Sequence, residues 1–178
     1  MRAAHRFTQL TAAATLLLAS TAGIGADALF PAIAGYGGIH PLPSAAVRPD
    51  KQLRYKLLFN ITQPSTDPAK PNPSLEKVAR TLNLLAHGGV KPRRGDVVAI
   101  VHGKATPLIL RNELQLVNPN LALIEQLRAA GAEVHVSHEA MVEMGIKVDD
   151  VDPRVQIDVS ALTTLATLQL RGYALIPD

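Results

Sequence analysis

Five short apolar segments alternate along this chain with segments of helical periodicity, and that alternation limits the fold more than any other property. The strand-like runs are Leu53–Ile61, Asp96–Val101, Glu133–Ser137, Val155–Ser160 and Tyr173–Ile176. The first passes from alternation into a continuous apolar run, as strands covered on both faces do. Between the first two, Leu75 to His87 places Leu75, Val78, Leu82 and Leu85 on one helical face, with Ala79 and Ala86 beside them. Ser74 reads as the N-cap of that helix and Gly88-Gly89 as its stop. Thr106–Arg111 reads as a short helix. Asn118-Pro119 reads as the start of a helix over Asn120–Ala130, and Met141–Met144 as a helical turn or two. Ala161–Leu170 reads as a helix closed by Gly172. Alternation with short connections predicts an α/β fold in three layers: a mostly parallel, five-stranded sheet with helices on both faces. One connection, Thr62–Pro73, is long and holds four prolines; it is expected to be a lid or an oligomer contact.

The 178 residues are enough for one domain with a proper core. Arg2, His5 and Arg6 precede an apolar, small-residue run over Leu10–Gly25, followed by Ala26-Asp27-Ala28. This is the layout of a secretory signal peptide over residues 1–28, with Ala22 and Ala34 ending competing cleavage sites. The run is shorter than the roughly 20 apolar residues that span a bilayer, so a cleaved signal is expected and no membrane contact after cleavage. Residues 29–51, with Pro31, Pro41, Pro43 and Pro49 among Gly35, Gly37 and Gly38, read as a flexible leader to a domain over 52–178. The expected location is periplasmic or secreted. Export permits disulfides, yet there is no cysteine. The fold must hold by core burial alone, and thiolate nucleophiles, persulfide carriage, Fe–S clusters and cysteine zinc sites are excluded. The formal charge is +3, the basic residues are scattered apart from Lys91-Pro-Arg93-Arg94, and there is no tryptophan; this argues against nucleic-acid binding.

In a parallel sheet the carboxyl ends of the strands lie along one edge, where α/β proteins bind their ligands. That edge is expected to bring together Asn60, Thr62, His102, Gly103, Ser137, His138 and Ser160. The plain alternative is that polar residues stand at strand ends because strands end where solvent begins. A serine hydrolase would use Ser137 as nucleophile, His102 or His138 as base and Glu139 or Asp67 as orienter. Val134-His-Val-Ser-His138 lacks the glycines of a nucleophile elbow, which weighs against it. A metal site would draw on His102, His135 and His138, without any HExxH-type signature. No cofactor is implied by any glycine-rich phosphate loop.

Several segments resemble the DsrE/DsrF-like family, which includes sulfur-relay proteins. They are Lys70–Leu85, Val98–Gly103, Asn118–Ile124, the Ser137 turn through Gly145-Ile146, and Ala161–Gln169 with Gly172–Pro177. The likeness spans about Leu53 to Pro177. It implies a compact α/β domain with a parallel, Rossmann-like sheet, assembled into homo-oligomers such as trimers or hexamers. In sulfur-relay members a cysteine after the third strand carries persulfide sulfur; the matching position here is Ser137, whose hydroxyl cannot. The expectation is an exported, non-thiol ligand-binding or assembly module. The alternatives are an enzyme using His102, His138 and Ser137 in acid–base or metal-assisted chemistry, and a protein partner's accessory subunit in a sulfur-relay system.

Overall fold

A computed structural model of the chain describes residues 27–112 and 117–178. The expected signal peptide lies almost wholly outside the described residues. The elements are β1 (Leu57–Ile61), α1 (Pro73–His87), β2 (Val97–Val101), a 3₁₀ segment (Gly103–Ile109), α2 (Asn120–Ala129), β3 (Glu133–Ser137), α3 (His138–Glu143), a 3₁₀ turn (Val148–Asp150), β4 (Gln156–Asp158), α4 (Ala161–Leu170) and β5 (Ala174–Ile176). The five strands form one sheet in the order β4-β3-β2-β1-β5, every pair parallel. The expected α/β sheet with helices on both faces is present. Among the described residues no helix is long and apolar enough to cross a membrane.

Handedness explains which helix covers which face. From β1 to β4 the chain steps outward in one direction, then returns past β1 to lay down β5. Right-handed crossovers in opposite directions must pass over opposite faces of a sheet. Accordingly Leu57, Phe59 and Ile61 of β1 and Val97, Ala99 and Val101 of β2 pack with Leu75, Leu82, Leu123, Leu127 and Met141 in the main core. The alternate residues Leu58, Val98 and Ile100 face the other way and pack with Ala161 under α4. Full burial of one such Leu, Ile or Met side chain stabilises by about 1.5–3 kcal/mol, so most of the stability lies on the first face. Among the described residues the second face has α4 alone. That helix carries no charged residue, and Leu162 and Leu170 on it are 78 % and 90 % exposed.

Several boundaries differ from the sequence reading, each for a local reason. The N-cap of α1 is Asn72, not Ser74: its side-chain oxygen accepts from Ser74 N at 2.8 Å. Pro73 then opens the helix, where its missing N–H costs nothing. The short helix expected over Thr106–Arg111 is a 3₁₀ segment ending at Ile109. Pro107 within it cannot donate to an α-helical ladder. β4 is only three residues long, because Val155 turns into the core and Ser160 becomes the N-cap of α4.

The largest difference is residues 29–40. A flexible leader was expected; instead the chain is a strap docked on α1. Ile33 is 0 % exposed and belongs to the main core, and Leu29 and Ile39 form an antiparallel bridge. Asn83 of α1 clasps the strap with four bonds. Its oxygen accepts from Ala32 N and Ile33 N, both at 2.8 Å, and its amide donates to the Tyr36 and Gly37 carbonyls at 2.9 and 3.0 Å. Gly37 (φ +58°) lies so close to α1 that a Cβ there would stand 2.3 Å from Arg80 N, which only glycine permits. Proline and glycine content signalled irregular backbone correctly, but irregular is not the same as undocked.

Candidate functional site

Two separate groupings occupy the carboxyl edge of the sheet where one shared pocket was expected. The first joins β1 and β2. His102 leaves β2 in extended conformation and its Nε2 lies 2.6 Å from Asn60 Oδ1. An amide oxygen only accepts, so Nε2 carries the proton and Nδ1 presents a lone pair. Burial lowers the His102 pKa below its ordinary value, and the carboxylate of Asp178 only partly offsets this. The imidazole is therefore neutral at pH 7, able to accept a hydrogen bond or a proton. Gly103 (φ +56°) turns the chain into the 3₁₀ segment, and its carbonyl accepts from Thr106 Oγ1. Thr62 faces Asp178 instead: the Asp178 carboxylate accepts from Thr62 N (2.6 Å), Thr62 Oγ1 (3.0 Å) and Gln63 N (2.8 Å), and also from Ser74 Oγ. Burial works to raise the Asp178 carboxyl, but these donors outweigh it and hold the group below the usual range.

The second grouping is Ser137 with Ser160. β3 continues into α3 on the main-core face, whereas β4 continues into α4 on the opposite face. Adjacent strands whose connections part in this way form a topological switch point. Ser137 stands in that fork, 2 % exposed, and its Oγ accepts from Ala140 N of α3 (3.4 Å) and Ala161 N of α4 (3.1 Å). Ser160 caps α4 through Leu162 N at 3.3 Å. His138, the first residue of α3, is exposed. A nucleophilic serine needs a base on its hydroxyl; Ser137 is instead covered and shared between two helix starts.

His135 does not meet His102 and His138 as a three-imidazole set. Its Nδ1 sits 2.9 and 3.0 Å from the Asp158 oxygens and its Nε2 3.4 Å from Glu133. Thr164 of α4 donates to Asp158 at 2.6 Å. Among the described residues no group of three His, Asp or Glu could hold a metal ion. Burial works to lower the His135 pKa, but bonding and charge from Asp158, then Glu133, outweigh it and the net shift is upward. Burial works to raise Asp158, and the His135 and Thr164 hydrogen bonds outweigh it in turn, so that carboxyl is held down.

A raised imidazole stabilises the fold fully below its unfolded pKa of about 6.5 and loses that contribution as pH rises through its folded value. A depressed carboxyl contributes above about pH 3.9 and loses its share as pH falls through its folded value. The pair therefore contributes most between these limits. Urea midpoints of the wild type and His135→Gln are expected to differ most near pH 6 and to converge as the pH rises toward 9. A gap that stays constant over that range would contradict the pairing.

A cleft of about 390 Å³ opens beside the His102 end of the edge, walled by the long loop after β1, the 3₁₀ segment and the approach to α2. Pro64, Pro68, Leu108 and Leu110 give it an apolar surface, and Lys104 and Arg111 stand at its rim. Sequence reasoning did not single out these residues. Asn118 and Asn120 read only as a helix start, and nothing local tied them to the proline-rich loop.

A sequence model of the DsrE/DsrF-like family matches residues 56–177. The strap lies outside that match. No curated protein matches the chain. The solved structures similar to the chain include the following two. A protein of unknown function from Methanobacterium thermoautotrophicum has a TM-score of 0.54 and 17 % identity, covering 70 % of this chain and 99 % of its own. The ychN protein from E. coli has a TM-score of 0.52 and 15 % identity, with the same coverage of both chains. At such identity the likeness speaks to the fold alone.

Proposed function

The chain belongs to the DsrE/DsrF-like family, and from that premise we propose that it is a cysteine-free member working as a ligand-binding and self-assembling module, not as a persulfide carrier. The observation that carries this reading is Ser137. Where the resemblance sets the family's cysteine stands a buried hydroxyl whose oxygen is spent on two helix amides. The half of the edge left for a ligand is the other one, where Asn60, His102 and Gly103 stand beside the cleft and Thr62 is spent on Asp178. Catalysis by His102, His138 and Ser137 in concert draws no support from their placement, since only His102 lies at that half. Self-assembly is supported by α4, an uncharged helix presenting Leu162 and Leu170 to solvent over the thinner core. Apolar surface of that kind marks contact sites, and a homo-oligomer is the occupant proposed. The same reading takes the protein as exported.

Two measurements test it. Ser137→Cys introduces the chain's single thiol, so its labelling is unambiguous. It is expected to resist a thiol reagent in the folded protein and to react only on unfolding; rapid labelling in the native state would sink the covered-seat argument. Light scattering is expected to give an oligomer for the wild type and a folded monomer for the Leu162→Glu/Leu170→Glu variant. A monomeric wild type would remove the assembly part.

A further inference from the structure

We infer that the cleft between the proline-rich loop and the 3₁₀ segment binds a small amphipathic anion, a carboxylate or sulfonate on an apolar body. This rests on the reading of the chain as a binding module and gives that module its ligand class.

Three observations combine. The volume, about 390 Å³, falls within the roughly 300–1,000 Å³ of small-molecule sites. The cleft is also braced before any ligand arrives. The Asn118 amide donates to the Leu108 and Leu110 carbonyls at 2.9 and 2.7 Å, tying the approach to α2 against the 3₁₀ segment. Asn120 Oδ1 accepts from Asn72 N at 2.7 Å, and the Asn72 amide donates to the Gln63 carbonyl at 3.1 Å, tying the loop to α2. Arg111 N donates to the Asp150 carbonyl at 3.0 Å, which fixes the backbone at the rim. A braced site spends little of its binding free energy on ordering itself.

The third observation is charge. The described lining has two cations, Lys104 and Arg111, and no carboxylate. Neither cation forms an ion pair within the described residues. Apolar walls favour an apolar body, and two cations at the mouth with no carboxylate in the described lining favour an anion. Neither property alone selects a ligand; together they select an amphiphile with a single anionic head. An anion there would sit at the same end of the sheet as neutral His102 and would not compete with a cation for it.

The probe is octanoate at concentrations below its aggregation range, compared with octanol (same body, no charge), octylamine (opposite charge) and acetate (same charge, no body). Calorimetry on the purified protein is expected to show one octanoate site per chain, with octanol and octylamine weaker by roughly tenfold or more, the size of one charge-assisted contact, and acetate weaker for want of an apolar body to bury. Lys104 and Arg111 are both exposed, so Lys104→Gln/Arg111→Gln should fold with an unchanged melting temperature and lose the preference for octanoate over octanol. Octanol or octylamine binding as tightly as octanoate would overturn the anion class and leave the binding-module reading standing. A preference that survives in the double variant would place the anion elsewhere and overturn the site. If none of the probes binds, this site falls, while the Ser137→Cys labelling and light-scattering results still decide the reading beneath it.

Discussion

Replacing Asn83 with leucine is expected to destabilise the protein by about 3–5 kcal/mol and to release the strap. The asparagine is fully buried and satisfies two amides and two carbonyls of residues 32–37 at once. Leucine has a similar volume but offers none of these bonds. Each buried polar group left without a partner costs about 1–3 kcal/mol, and four of them exceed what the strap gains by docking. The strap therefore leaves the surface and returns its polar groups to water, which caps the loss near its own docking energy. The burial of Ile33 and Ile39, about 1.5–3 kcal/mol each, sets the scale of that cap. Denaturant midpoints measure the first effect, and limited proteolysis between Leu29 and Ile39 the second. A strap that stays protease-resistant, with stability within about 1 kcal/mol of wild type, would show that Asn83 is not the clasp.

Ser137→Ala is expected to cost about 2–4 kcal/mol. Losing an ordinary N-cap costs about 0.5–2 kcal/mol. Here the same oxygen also serves the first amide of a second helix, and both donors belong to buried residues, Ala140 and Ala161. Alanine leaves two buried amides facing a methyl group. Urea denaturation gives the total, and amide exchange shows where it falls: the Ala140 and Ala161 amides should both lose protection while Leu58 in β1 keeps its own. A loss under about 1 kcal/mol, or a loss at only one of the two amides, would contradict the shared cap.

The layers of this fold are legible in the sequence because their signals are local. Runs such as Asp96–Val101 and the helical spacing of Leu75, Val78, Leu82 and Leu85 fix element type, and the handedness of crossovers does the rest. Ser137 at a strand-to-helix turn is legible for the same reason. Its bond to Ala161 N is not, because it joins residues 24 apart that meet only when β4 pairs with β3. The same limit hid the bracing of the cleft by Asn72, Asn118 and Asn120, which joins the connection after β1 to the connection after β2. It also hid the strap. Asn83 reads as a polar residue near an apolar helical stripe, and only the docked backbone of residues 32–37 reveals why a polar group belongs there.

The docked strap bears on how such a chain could be trimmed. Of the three places where the amino-terminal segment reads as cleavable, a cut after Ala34 would carry away Ile33 and the Leu29 half of the bridge to Ile39, emptying a core position and leaving Asn83 half-served. Cuts after Ala22 or Ala28 would spare both. Folding would thus rank the three candidate cuts by what each would remove from the finished protein. The first residues of the strap act as a fence: processing on its outer side leaves the core whole, and processing on its inner side dismantles it.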